Sequence, residues 1–431
     1  MQGVTLTIAV ILSLLAITLR PAYALAVYIT ALLWYPSYLV VSIGTIDISV
    51  GRIVAAVLLL RCLCDSRIQN RFSWSRLDTW VTLSMVVYIG VLCVTRPSIS
   101  TIENRGGFLM DTWFAYIVAR FVVTDRATLI SIIKCISVVL VPLAILGVIE
   151  SVTGWQPFLP LFRFCPWYGG VGKILERRWG LSRAVGPFSH PILFGCGFVM
   201  FLPLIYYLRH EKNNWRVWGY VLSGVALIGA LSSMSSGPWV MVIVVIFCMA
   251  MERQKRWVKL MLIFFASFCL FIGVASNRPF YHVVATYANP LGGSSWHRAK
   301  LIDCALEHFD EWYLLGYGDR DPGWGPSLGM SATDVTNEFI LNGVRYGILG
   351  IVVLWGVLTT AFRDLLHMYK KAQNPEMKSL SWVLGTILFS VMVTWMSVSF
   401  FGQLMPLFYC ILGIIGSSFR FVRYEKIKDE K

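Results

Sequence analysis

The sequence predicts an all-α integral membrane protein with about 12–13 transmembrane helices and two long outer loops. Three observations lead there. The mean hydropathy is +0.68 and only 14% of the 431 residues are charged, where a soluble domain carries about a quarter. The apolar residues fall in runs almost free of charge, at 22–43, 79–95, 128–149, 191–208, 217–231, 257–275 and 348–362. Runs near 18–20 residues match the thickness of a hydrocarbon core. Basic clusters punctuate these runs: Arg67/Arg71/Arg76, Arg209/Lys212/Arg216, Arg253/Lys255/Arg256/Lys259, Arg363/Lys370/Lys371/Lys378 and Arg420/Arg423/Lys426/Lys428.

Each observation constrains the architecture. Backbone polar groups in lipid must be paired internally, so the runs are helices. Period-two alternation is absent, which argues against a barrel. The expected spans are 3–19, 22–42, 46–63, 79–95, 107–123, 128–150, 189–208, 216–233, 237–251, 257–275, 337–362, 379–398 and 402–420. The positive-inside rule makes the five basic clusters cytoplasmic and accounts for most of the net charge of +14. No nucleic-acid motif accompanies that charge. There is no fixed-period repeat or low-complexity tract, so residues 1–431 read as one polytopic domain. Met1-Gln2-Gly3-Val4 has no basic n-region, and no cleavable signal peptide is expected. Most of the ten cysteines lie in apolar runs and read as small hydrophobes. Cys62 and Cys64 lack partners for zinc. Cys165 and Cys304 fall in the two outer loops, and two free thiols are expected there rather than a disulfide.

With the clusters inside, segments 151–188 and 276–336 lie outside. The second is unusually long, and such loops tend to be functional. Leu301, Ile302, Ala305, Leu306 and Phe309 space out an amphipathic helix over 296–312. The first loop is basic, with Arg163, Lys173, Arg177, Arg178 and Arg183 against Glu176. Charge on the side that topology disfavours points to an anionic ligand, although long loops also translocate regardless of charge.

Two segments carry a resemblance. One is Arg183-Ala184-Val185-Gly186-Pro187-Phe188-Ser189-His190-Pro191. The other starts at Thr336-Asn337 and reaches Gly347-Ile348-Leu349-Gly350 after nine residues. With His297-Arg298 followed by Gly316-Tyr317-Gly318, they resemble the O-antigen ligase and O-antigen polymerase superfamily of bacterial membrane proteins over about residues 180–360. Thr336 stands where that family's motif has His. The resemblance implies a glycosyltransferase at the outer face of the bacterial inner membrane. Its substrate would be a saccharide on a polyprenyl diphosphate, and its acceptor a lipid-core sugar or another repeat unit. Membrane lipids and polysaccharide chain-length or export proteins are the expected partners. No metal, nucleotide or other cofactor is implied.

Such chemistry needs cations on the departing diphosphate, a base at the acceptor hydroxyl and an apolar cleft for the lipid. Arginine matches phosphate with a planar fork that stays charged. Arg183 and Arg298 match the family positions and are the first candidates, with His297, Lys300, Arg177, Arg178 and Arg345 as further substrate-binding candidates. Thr336 is a poor base, which leaves Asp334, Glu338, His190, His297 and His308 as substitutes. Asp334 reads better as a helix cap, and His190 before Pro191 also reads as structural. Thr336 and Asn337 head a helix, where amides and the dipole favour an anion. Gly343 and Gly347 read as a small-residue face for a neighbouring helix. Of the charges inside apolar runs (Asp47, Arg52, Asp111, Arg120, Lys134, Glu150 and Arg345), Arg120, Lys134 and Glu150 are expected to snorkel. Arg345 is expected to pair with an acid on another helix. Outer-loop aromatics such as Trp155, Trp167, Tyr168, Trp179, Trp296, Trp312, Tyr313 and Trp324 read first as an interfacial belt.

Two other classes compete. A carrier of lipid-linked saccharides would show internal repeats and broken helices, neither evident in the sequence. A non-catalytic scaffold would tolerate loss of its arginines.

Overall fold

The computed structural model describes the chain apart from residues 167–176, 255–259, 261–262, 264–266, 272–274, 278, 288–294 and 430–431, and apart from the side chains of 284–287, 295 and 422–429. The expected span 257–275, the residues Trp167, Tyr168, Lys173 and Glu176, and part of the third basic cluster lie mostly or wholly outside it.

The chain begins with α1 (Gln2–Thr18), α2 (Pro21–Trp34), the strands β1 (Val40–Ile43) and β2 (Ile46–Ser49), α3 (Val50–Cys64) and the short α4 (Ser66–Gln69). It continues with α5 (Arg76–Thr95), α6 (Ile99–Leu109), a π-turn (Met110–Phe114), α7 (Ala115–Val122) and α8 (Arg126–Thr153). Next come α9 (Pro191–Tyr207), α10 (Trp215–Ser232), α11 (Ser236–Met251), α12 (Phe280–Tyr287), α13 (Ser295–Glu307) and α14 (Phe309–Trp312). The last helices are α15 (Glu338–Lys371), α16 (Pro375–Trp395) and α17 (Leu404–Asp429). Among the described residues, seven segments are long and apolar enough to cross a membrane, and α1, α2 and α11 are shorter apolar helices. The chain is a membrane-embedded helical protein.

Burial sorts these helices. The apolar windows of α9 and α17 are each 89% buried and that of α10 only 33%, so α9 and α17 form the interior and α10 the rim. A helix apolar on every side belongs inside such a bundle.

The expected span 46–63 is corrected at its start. Residues 46–49 form a strand paired antiparallel with 40–43, in register Val40↔Ser49 and Ile43↔Ile46. Gly44 turns the hairpin at φ 63°, which glycine adopts without a steric penalty.

Of the charges expected to snorkel, Arg120 and Glu150 do not, and Lys134 reaches toward the end of its helix. Arg120 and Asp78 are fully buried and paired at 2.6 Å, and Tyr116 Oη donates to the same carboxylate at 2.6 Å. Lys134 reaches Glu211 at 3.5 Å and lies over the Trp215 ring. Glu150, also fully buried, accepts from the Val185 and Gly186 amides at 2.7 and 2.9 Å. It therefore pins the first motif loop to the end of α8. A carboxylate in a bundle is tolerated when donors satisfy it; Asp78 is satisfied at both oxygens, and Glu150 through Oε2.

Helix α15 is not continuous. Gly347 has φ 66° and ψ −161°, and the segment 313–318 crosses the break. Tyr317 N–H donates to Val344 O at 2.7 Å, Gly318 N–H to Arg345 O at 3.1 Å, and Ile348 N–H to Tyr313 O at 2.7 Å. The carbonyls and amide freed by the break are thus satisfied by the loop. The reading of Gly343 and Gly347 as a helix-packing face is corrected accordingly: Gly343 lies under the Trp312 ring and Gly347 under the Leu314 carbonyl. Gly347→Ala places a Cβ both in the left-handed region and onto that carbonyl. We expect a loss of about 1–3 kcal/mol from backbone strain alone, seen as a lower unfolding temperature in detergent and faster proteolysis at 313–318.

The expected amphipathic helix is present in two pieces, α13 and α14. Leu301, Cys304, Ala305 and Trp312 bury against Trp324, Val335 and Val344, while Leu306 and Phe309 stay exposed. Cys165 and Cys304 are free thiols buried in separate clusters.

Candidate functional site

The loops bring two arginines, Arg178 and Arg183, onto the turn between α10 and α11, with a third, Arg298, near Arg178. The turn reads Ser232-Ser233-Met234-Ser235-Ser236-Gly237-Pro238, and Ser232, Ser233 and Ser235 are buried. Arg178 Nη1 donates to Met234 O at 3.2 Å, and Arg183 Nη2 to Ser235 Oγ at 2.9 Å. Arg298 arrives from α13. Its burial, and then the nearby Arg178 guanidinium, push its pKa below the usual arginine value. Among the described residues, neither Arg178 nor Arg298 forms an ion pair. Like charges brought close in a half-buried place are costly unless an anion compensates them.

The turn adds to that field. Ser235 is the N-cap of α11 but its side chain caps no amide, its hydroxyl bonding Ser233 O instead. The amides of Ser236 and Gly237, at the positive end of the α11 dipole, are thus left without a side-chain cap. Met234 holds φ 44°, an unusual conformation for a bulky residue that often marks functional turns. Trp179, exposed and edge-on to Trp239, flanks the arginines.

The other candidates separate. Arg177 is exposed against Gly154. Lys300 pairs with Glu307 of its own helix at 3.7 Å, so its charge is partly answered. Lys300→Ala is expected to change stability by under about 0.5 kcal/mol and to leave turnover unaltered in the purified protein. His297 is buried beside Arg298. His190 Nδ1 accepts from the Ile192 amide at 3.2 Å and caps α9. His308 bonds Cys304 O and lies against Trp324.

Asn337, rather than Asp334, caps α15. Its Oδ1 accepts from the Phe339 and Ile340 amides at 3.0 and 3.2 Å, and its Nδ2 donates to Met396 O at 3.0 Å. This correction removes the anion site expected at Thr336 and Asn337, because the side chain already fills the amides. Thr336 Oγ1 is buried without a hydrogen bond. Glu338 is buried, accepting from the Phe400 amide at 3.1 Å and from Asn342 Nδ2 at 3.1 Å. Arg345 is exposed and forms no ion pair among the described residues, so the expected partner acid on another helix is absent there. The described residues hold no cluster of His, Cys, Asp and Glu suited to a metal.

The connector between α16 and α17 ties these parts together. Met396 meets Asn337, Val398 packs against Gly237 of the serine turn, Phe400 holds Glu338, and Gln403 reaches Pro187 of the first motif. The sequence does not single out this connector or the serine turn, and Glu150 reads there as a snorkelling charge and not as the anchor of the first motif loop. Serines followed by Gly-Pro between two apolar runs are a helix-start signal that could have drawn notice to the turn. No family model matches the chain, and no curated protein is significantly similar to it.

Proposed function

We propose that this chain is a membrane glycosyltransferase that transfers or polymerises a saccharide from a polyprenyl-diphosphate carrier at the outer face of a bacterial inner membrane. The observation that carries the reading is the convergence of Arg178 and Arg183 on the strained serine turn, with Arg298 near Arg178. The motif resemblance supports it, since Arg183 and Arg298 are the matching positions and come from loops more than a hundred residues apart.

The chemistry follows from the site. An acceptor hydroxyl oxygen attacks the anomeric carbon. The bond from that carbon to the diphosphate oxygen breaks, and the electron pair leaves with the diphosphate. The arginines and the first amides of α11 meet the charge that develops there, as fixed donors need no reorganisation during the step. The hydroxyl proton passes to a base. Thr336 cannot accept it at neutral pH. His297, next to Arg298, is the titratable group at the cluster best suited to the role.

A carrier reading finds one feature in its favour, the break in α15. Its freed backbone groups are filled by residues 313–318, whereas a carrier would keep them for its cargo.

The test is the size profile of lipid-linked and surface polysaccharide in a deletion strain lacking close paralogues, complemented with the wild-type chain. Stranded single repeat units mean a polymerase, and full-length chains left on the lipid mean a ligase. An unchanged profile would sink the reading.

A further inference from the structure

A second site lies at the same end of the bundle. It is a half-open cavity of about 320 Å³ walled by the end of α2, the β-hairpin, the start of α3, the π-turn and the start of α17. None of the three clustered arginines lines it. Its polar floor is the pair Arg52 and Asp111. Arg52 Nε lies 3.1 Å from both carboxylate oxygens, Nη2 lies 2.6 Å from Oδ2, and Nη1 donates to Asp47 O at 3.1 Å. The two side chains stay 25% and 26% exposed, so they face open space. The geometry is built: Asp111 sits in the π-turn, a helix distortion that commonly re-aims a functional residue, and a Cβ at Gly107 would strike the Arg52 guanidinium.

Gln403 fixes the wall of the cavity. It is 1% exposed, and its Nε2 donates to Leu32 O, Tyr35 O and Pro187 O at 3.0, 3.2 and 3.3 Å. Flipping the amide would set its oxygen against three carbonyls, so its orientation is fixed. Gln403 thereby ties the end of α2 and the first motif loop to the start of α17 and holds the cavity wall in shape.

We propose that this cavity binds a neutral saccharide unit. The Arg–Asp pair has no net charge and so selects neither anion nor cation, but it offers donors and acceptors side by side, as a polyol requires. Tyr35 and the 45%-exposed Phe401 add ring surface to the wall. The volume is at the lower end of the roughly 300–1,000 Å³ typical of ligand pockets, room for a sugar ring rather than a lipid tail. The inference stands whether or not the arginine cluster holds a diphosphate.

Cys165 lines the same cavity, and Cys64 is exposed on α3 away from it. The full-length protein, in a detergent without a sugar headgroup, is treated with N-ethylmaleimide in the presence of glucose, galactose, N-acetylglucosamine or rhamnose. Peptide mass spectrometry follows each thiol. At least one sugar is expected to slow modification of Cys165 fivefold or more while leaving Cys64 unchanged. Ser37→Trp, which fills the cavity, and Gln403→Leu should each remove the effect. Saturation-transfer NMR with the same sugars reports binding without relying on the thiol. The proposal is overturned if no sugar gives either protection or saturation transfer, or if both survive in the two variants. Loss of binding in Arg298→Ala alone would also overturn it, because that site would then be the diphosphate site.

Discussion

Arg298→Ala is expected to lower turnover of a lipid-diphosphate-linked saccharide by about 10²–10³-fold, the loss typical of removing one donor aimed at developing charge. The expectation rests on its surroundings. Arg298 is half-buried, has no carboxylate partner among the described residues, and lies close enough to Arg178 for the two charges to oppose one another. Removing it relieves that repulsion, so the folded protein should hold or slightly gain stability while activity falls. This opposite movement separates a substrate role from a structural one. Arg298→Lys keeps the charge but loses the planar fork, and should recover only part of the rate. Single-turnover assays with purified protein, beside unfolding curves, read both quantities. Activity within threefold of wild type in Arg298→Ala would remove the arginine cluster from the mechanism.

Asp78→Asn is expected to cost stability on the scale of about 3–5 kcal/mol, the usual result of breaking a buried ion pair from one side. Asp78 accepts from Ser75 N–H, Tyr116 Oη and Arg120, all within 2.6 Å, and Arg420 lies in the same pocket, donating to Arg120 O and Ser73 O. Asp78 thus pairs with Arg120, which is 0% exposed, beside Arg420 at 8%. Without it the fully buried Arg120 loses its ion-pair partner. The double change Asp78→Asn with Arg120→Met should recover part of the loss, because it also removes a stranded charge. Thermal unfolding of the three variants in one detergent checks the ordering. Equal stability of Asp78→Asn and wild type would mean that water reaches the site.

Helix positions were largely legible in the sequence because membrane spans declare themselves one run at a time. Spans 79–95, 128–150 and 189–208 coincide with α5, α8 and α9 to within a few residues. The pairings were not legible. Asp78 and Arg120 are 42 residues apart, and Glu150 reaches across 35 to Val185; hydropathy carries no signal for partners on different helices. The break at Gly347 was hidden for a related reason. A glycine in an apolar run reads as a packing position, and only the approach of the 313–318 backbone turns it into a discontinuity. At the site, Arg183 and Arg298 were legible through their motifs. The serine turn that positions Arg178 and Arg183 carries no charge or periodicity and so did not stand out.

The break also bears on how the chain is assembled. Ile348 to Lys371 rises about 36 Å at helical pitch, already enough to cross a hydrocarbon core of about 30 Å. The upper piece, Glu338–Tyr346, need not enter lipid for the helix to insert. Residues 313–318 leave the ribosome first, and their hydrogen-bond partners at Val344, Arg345 and Ile348 emerge later. The loop therefore waits, unsealed, until the insertion of α15 delivers its other half. Docking of the 313–318 segment becomes a late step in biogenesis, timed by synthesis of a helix rather than by the segment's own folding.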